Sequence, residues 1–309
     1  MGRIRKNKLW LFWLVFSLFP FLTSAQDSIQ LIDSTRVKSK LLNKVIAYEG
    51  AYYLGSMAVL RNTWYKDRQR VPFHFYNDNK GYLQVDKFGH AFGAYAISYI
   101  GYHSLLNTGM SKKNALMYGG TLGLVLQTPI EIMDGIHEGW GFSWGDMAAN
   151  AIGSGLFIGQ QLLFEEQILT YKISYWESVY AKNSNNLYGK TSLERALKDY
   201  NGHTYWLSMP VNKLIQTNHF PNWLNISVGY GANGLYGEYH NSLSYEGAVL
   251  PEAIRYRQFL LSLDVNWNKI PTNSKVLKMI FQGLTFIKIP FPTLEYNSKG
   301  KLKGYWIYF

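Results

Sequence analysis

The sequence predicts an α+β fold, mainly α, with a four-helix membrane-associated bundle followed by a smaller aromatic-rich β part. Three observations predict it. Residues 88–110, 114–130 and 147–164 contain no Asp, Glu, Lys or Arg over 23, 17 and 18 positions, which suits helices packed in an apolar setting. From about residue 203 the apolar residues recur with period two, the mark of half-buried strands. Aromatic residues make up 17% of the chain, with 24 Tyr and 10 Trp, a bias that suits a surface meeting an interface.

The first element is a targeting segment. Arg3, Arg5, Lys6 and Lys8 precede the apolar stretch 9–22, and Thr23-Ser24-Ala25 places small residues for a cut after Ala25. This is the grammar of a secretory signal peptide over 1–25. The competing reading is an uncleaved anchor, but the stretch is shorter than the roughly 20 residues that a spanning helix needs. Removing the four basic residues lowers the formal charge from +11 to +7. No Lys/Arg-rich run remains, so nucleic acid is not an expected partner. The sequence contains no Cys, which excludes disulfides, a thiolate zinc site, a Cys nucleophile and a lipid-modified cysteine. The fold must therefore be held by a hydrophobic core or a membrane.

The helical part is expected over 40–182. Its first helix covers 41–66, with Glu49 as the one charge in the apolar run 45–60. The second covers 88–110, with Asp86 as candidate N-cap and Asn107-Thr108-Gly109 as its stop. Ser111 caps the third and Ser143 the fourth. The fourth is expected to run on as an amphipathic extension through 165–182. The helices are rich in Gly, Ala and Ser, which lets backbones approach closely and weakens insertion into lipid. A polytopic bundle and a tight bundle docked on a membrane both fit, and loop charges do not choose between them.

The β part is expected over 203–309. Leu224, Ile226, Val228 and Tyr230 alternate with polar or small residues, as do Phe259, Leu261, Leu263, Val265 and Trp267. Strands are also expected over 204–209 and 302–309, giving four or five in all. Asn297-Ser298-Lys299-Gly300 reads as a hairpin turn, and 273–285 as a short amphipathic helix. Pro290 and Pro292 relegate 286–294 to an edge or extended segment. Tyr305, Ile307 and the final Phe309 resemble the last strand of an outer-membrane barrel, although so few strands do not make one.

Candidate chemistry gathers at helix ends. Asp86, Lys87 and His90 open the second helix, Glu131, Asp134 and His137 close the third, and Ser143, Asp146 and Asn150 open the fourth. Up-down connectivity places these three ends together. Asp146, Asn150 and Gly153 follow i, i+4, i+7 spacing and share a face. Carboxylates and imidazoles in an apolar setting are costly unless paired or holding a cation. Asp86, His90, Glu131, Asp134 and Asp146 are therefore the candidate catalytic residues, and Lys87, Ser143 and Asn150 the candidate binding residues. A divalent metal on Glu131, Asp134, Asp146 and His90, acid–base work by His90, and a hydrogen-bonded network that only closes the bundle all remain open. The spacing names no metal or cofactor. No nucleophile elbow, P-loop or dinucleotide fingerprint is present; Gly229, Gly231 and Gly234 lie in a strand pattern and read as a bend. His103 reads as a core histidine, while His203, His219 and His240 read as surface. The sequon at Asn225 is discounted for its place in a strand.

The order Asp86-Lys87-x-x-His90, Glu131-x-x-Asp134 and Ser143-x-x-Asp146-x-x-x-Asn150-x-x-Gly153 resembles YfiM-like predicted periplasmic proteins, a domain family of unknown function. Residues 203–296 look like longer exported versions from Gram-negative envelopes. The helix order is more distantly similar to the VanZ family of small membrane proteins, which has Gln where Asp134 stands. The resemblance implies a periplasmic location and supplies no reaction; the signal peptide and the terminal Phe309 favour the outer membrane. The functional expectation is an exported envelope protein whose helical pocket binds or processes a lipid or cell-wall-derived molecule. The alternative is a non-enzymatic assembly component of the envelope, with a membrane or envelope partner in either case.

Overall fold

The computed structural model describes residues 37–309, so the expected signal peptide lies outside the described residues. Two compact units divide these residues. One is helical, 37–79 with 90–166, and the other is strand-rich, 80–89 with 167–309. Helix and antiparallel strand are both present, as the sequence predicts.

In the helical unit, α1 (Ser39–Leu60) ends in a π-helical turn, Arg61–Tyr65. Helix α2 (Val85–Asn107) belongs to this unit from His90 onward. Asp86 lies inside the first turn of α2 and does not cap it, because a 3-10 turn, Gly81–Gln84, leads directly into the helix. The expected third helix is two: α3 (Lys112–Gly119) and α4 (Leu122–Gly135). The break falls at Gly119-Gly120-Thr121, where two glycines lower helix propensity. Helix α5 (Trp144–Phe164) follows. Ser111 and Ser143 cap α3 and α5, accepting from the Asn114 and Asp146 amides.

The small residues set how near these helices lie. A Cβ on Gly123 would stand 2.0 Å from the Ala94 carbonyl oxygen, and one on Gly119 would stand 2.5 Å from the Gly101 carbonyl carbon. Ser98 Oγ donates to Ser154 Oγ at 3.0 Å within the same contact. No helix among the described residues is long and apolar enough to cross a membrane.

The expected extension of α5 through 165–182 is corrected. Glu165 adopts a left-handed φ of 55° and stops the helix. Residues Thr170–Tyr175, where Tyr and Ile alternate with Thr, Lys and Ser, form strand β1. It pairs with β2 (His203–Pro210), which pairs with β3 (Leu224–Asn233). After a small hairpin of β4 (Ser244–Tyr245) and β5 (Ala248–Val249), β6 (Tyr256–Val265) joins β3, then β7 (Phe291–Asn297) and β8 (Leu302–Tyr308) complete a six-stranded antiparallel sheet. That exceeds the expected four or five, because β1 was read as helix.

Strand β7 is interior and not an edge. A register shift between Phe291 and Thr293 falls at Pro292, where the missing N–H costs no ladder bond. The turn at 297–300 is the expected hairpin, closed by Gly300 at φ 73° and its N–H bond to Asn297 O. The expected amphipathic helix is Lys275–Gly283, capped by Ser274.

The two faces of this sheet are reversed relative to a water-soluble one. The register sets Thr170, Ser208, Ser227, Ser262 and Thr293 side by side in one inward row, and all are buried. Gln258, Asp264, Glu295 and Asn297 are buried on the same face. They satisfy one another: Gln258, Asn297 and Tyr305 all donate to Glu295 at 2.8–2.9 Å, and Lys172 meets Asp264 at 2.8 Å. The outward rows are apolar. Leu207, Val228, Leu261 and Leu294 form one, and Tyr205, Tyr230, Phe259 and Tyr296 form the next; they are open over β6 and β7, while Tyr205 on β2 is buried, and the inward face also buries Trp206 and Leu260.

Candidate functional site

The face of α5 carrying Asp146, Asn150 and Gly153 lies directly against α2. A Cβ on Gly153 would stand 2.0 Å from the Ala91 carbonyl oxygen, so the two backbones touch there. Ala91 follows His90, and the contact brings the imidazole onto Asn150 and Asp146. His90 Nδ1 lies 3.3 Å from Asn150 Oδ1 and 3.4 Å from Glu131 Oε1, and Nε2 lies 3.7 Å from Asp146 Oδ1. Glu131 is fully buried and Asp146 is 3% exposed.

The hydrogen-bond chain fixes the imidazole's state. Gln127 Nε2 donates to the His90 carbonyl oxygen at 2.9 Å, which can only accept. Its second hydrogen goes to Asn150 Oδ1 at 2.6 Å. Asn150 therefore presents an acceptor to His90, and Nδ1 carries a proton. The other ring nitrogen then faces a carboxylate. A bare lone pair there is repelled by an ionised Asp146, so a proton, on either group, or a cation between them relieves the contact.

The other expected residues have different partners. Asp134 accepts a 2.5 Å hydrogen bond from Tyr65. Asp86, one turn before His90 on α2, accepts from Tyr200 at 2.7 Å, and Lys87 lies 3.5 Å from Asp86. Ser143 Oγ donates to Asp78 at 2.6 Å while accepting from the Asp146 amide at 3.1 Å. His137 donates from Nδ1 to the Met133 carbonyl and packs on Tyr65 at 4.7 Å between ring centroids. The sequence reading missed Gln127, Tyr65 and Asp78. Gln127 sits at i−4 from Glu131 on α4, a spacing that offered a signal; Tyr65 and Asp78 come from segments with no periodic pattern.

Tyr65 and His137 also line a second cavity of about 510 Å³, with Arg61, Lys66, Arg68 and Arg70 around it. The Arg68 guanidinium lies 4.5 Å over the Trp140 ring. This basic cavity was not foreseen, since its cations are spread through a loop with no charge run.

Residues 74–160 match the family model DUF2279, described as a predicted periplasmic lipoprotein. The matched segment contains every residue of the His90 centre. That description supports an envelope or periplasmic location. No curated protein and no solved structure matches the chain. The YfiM and VanZ likenesses rest on the motif residues alone. These 309 residues contain no cysteine.

Two histidines outside the His90 centre are neutral. His103 packs on Tyr99 and Tyr102, and burial pushes its pKa down to about 4. His203 was expected at the surface and is buried. It opens β2, donates from Nε2 to the Ala196 carbonyl at 2.8 Å, and burial lowers its pKa to about 4. Asn225 is also fully buried, which removes the sequon from consideration.

Proposed function

We propose that this is an exported envelope protein whose helical unit binds an anionic, phosphate-bearing lipid or cell-wall-derived ligand and uses His90 as its acid–base or cation-holding group. The observation that carries the reading is the imidazole held between two buried carboxylates, with Nδ1 fixed as a donor by the Gln127–Asn150 chain. Glu131 and Asp146 hold the positive charge, and Asn150 orients the ring. Where a divalent cation takes that charge, His90 Nε2 and Asp146 supply ligand atoms. The phosphate preference is supported by the basic cavity around Arg61, Lys66, Arg68 and Arg70. Tyr65 lines that cavity and holds Asp134, one turn from Glu131 on α4, and Arg is suited to bidentate phosphate recognition.

The test is made on the purified mature chain. Bound metal is measured by mass spectrometry, and phosphate-bearing envelope lipids and cell-wall precursors are titrated calorimetrically. Arg68→Ala/Arg70→Ala should weaken ligand binding at least tenfold, while His90→Ala should fold, bind and fail to complement a deletion strain. Full complementation by His90→Ala would reduce the centre to a structural network closing the bundle.

A further inference from the structure

We propose that the outward face of β3, β6, β7 and β8 docks against an anionic phospholipid leaflet, with acyl chains lying on the apolar rows and lysines at one end of the sheet meeting lipid phosphates. This inference is independent of the His90 centre and rests on the sheet alone.

The reversal of the sheet is its starting point. A sheet facing water buries its apolar rows and exposes its polar ones. Here Ser227, Ser262, Asp264, Thr293 and Glu295 are at most 3% exposed, while Val228, Leu261, Leu294 and Tyr296 are 44–57% exposed. Apolar-out and polar-in alternation is the pattern of strands that face lipid. Most of the inward polar groups bond one another, through Ser208–Asp264, Asn225–Ser208, Gln258–Glu295, Thr293–Ser262 and Asn297–Glu295, while Ser227 Oγ is buried without a partner. On the outward side, Leu261, Leu263, Pro292, Leu294 and Trp306 line an open apolar groove of about 490 Å³, floored by Gly304. Gly304 pairs with Leu294, and its missing side chain leaves the groove open. Trp306 is 87% exposed beside it, and an indole at a rim suits the membrane interface.

Charge selects the occupant. The connection between β6 and β7, residues 266–290, contains Lys269, Lys275, Lys278 and Lys288 and no Asp or Glu. It lies at the end of the sheet where Leu263 and Pro292 stand, because β6 ends and β7 begins there. Its helix, Lys275–Gly283, exposes Val276 and Leu277 next to its lysines. Apolar side chains flanked by lysines fit an anionic leaflet, where each surface lysine adds attraction. Lys288 is buried on Ser262, so Lys269, Lys275 and Lys278 are the lysines offered to the surface, and a second copy of the chain would bring this acid-free connection no complementary charge from its own copy of it.

The experiment uses the mature chain with vesicles of phosphatidylcholine containing about a third phosphatidylglycerol, read by co-sedimentation. The wild type should pellet with these vesicles and far less with pure phosphatidylcholine. Leu261→Asp/Leu294→Asp should reduce binding at least tenfold with the circular dichroism spectrum unchanged. Lys269→Glu/Lys275→Glu/Lys278→Glu should abolish the preference for anionic lipid. Brominated acyl chains should quench the part of the fluorescence that Trp306→Phe removes. Arg68→Ala/Arg70→Ala, which removes the proposed phosphate contacts of the helical unit, should bind vesicles as the wild type does, which separates this surface from the proposed ligand site. A wild type that stays in the supernatant overturns the proposal. So does undiminished binding by the Leu261→Asp/Leu294→Asp variant, or a lipid-free dimer that this variant disperses.

Discussion

Gly153 meets the Ala91 carbonyl oxygen where a Cβ would have only 2.0 Å of room. That approach sets the distance between α5 and α2, and with it the placement of His90 against Asp146 and Asn150. Gly153→Ala gains about 1 kcal/mol of helix propensity but must push a backbone carbonyl aside. Overpacking of this kind costs about 1–3 kcal/mol and here exceeds the gain. The expected outcome is a lower melting temperature and a shifted His90 ring resonance. Gly155 and Gly159 have nothing within 4 Å of such a Cβ, so Gly155→Ala and Gly159→Ala should be neutral or slightly stabilising. Thermal melts of the three variants check this; equal behaviour would dissociate the site from the glycine contact.

Local signals were legible wherever short-range physics decides the outcome. Ser111 and Ser143 read as caps and are caps, and the alternation around Val228 and Leu261 read as strands and is strand. The convergence of His90, Glu131 and Asp146 followed from up-down connectivity. The sequence failed where a single backbone angle or a register decides. Glu165 at φ 55° stops α5 with none of the usual glycine to announce it, and β1 was lost into a helix as a result. Pro292 looked disqualifying until the register shift that accommodates it was seen. The direction of each strand face was invisible, because alternation gives the period and not which set points inward.

Lys172 and Asp264 form a buried pair, 1% and 0% exposed. Burial lowers the Lys172 pKa, opposed by the Asp264 charge. Removing one partner strands a charge, at about 3–5 kcal/mol. Lys172→Met and Asp264→Asn should each destabilise strongly, and the double variant should cost less than the two single costs added. Urea denaturation in a double-mutant cycle measures the coupling; strict additivity would show that the pair is not an energetic unit.

Stability should fall with acid through His203. Its two nitrogens already serve a neutral ring: Nε2 donates to Ala196 O, and Nδ1 accepts from the Tyr205 hydroxyl at 3.4 Å. With the folded pKa at about 4 and an unfolded value near 6.5, the unfolded chain binds the proton first. This contribution is complete above pH ~6.5 and is lost as pH falls toward 4, at up to about 1.4 kcal/mol per pH unit. His203→Gln keeps a donor toward Ala196 and removes the titration. Urea midpoints at pH 7, 6 and 5 should fall less steeply for the variant than for the wild type. Parallel slopes would place the acid sensitivity elsewhere.

His90 and Asp146 differ from that pair in one respect that decides the outcome of substitution. Lys172 meets one carboxylate, but the His90 imidazole stands between two, Glu131 at 3.4 Å and Asp146 at 3.7 Å. Asp146→Asn keeps the shape and an acceptor, leaves Glu131 to hold the imidazolium, and relieves repulsion between buried carboxylates. The expected cost is therefore below about 1 kcal/mol, or a slight gain, as sites that hold like charges together trade stability for activity. The variant should accumulate at the wild-type level and melt within a few degrees of it, yet fail to complement a deletion strain. Glu131→Gln should behave likewise, while Glu131→Gln/Asp146→Asn together should leave His90 neutral, which nitrogen-15 shifts of the ring would register. Poor accumulation of Asp146→Asn, with full activity per molecule that remains, would show that the two carboxylates hold the bundle and nothing else.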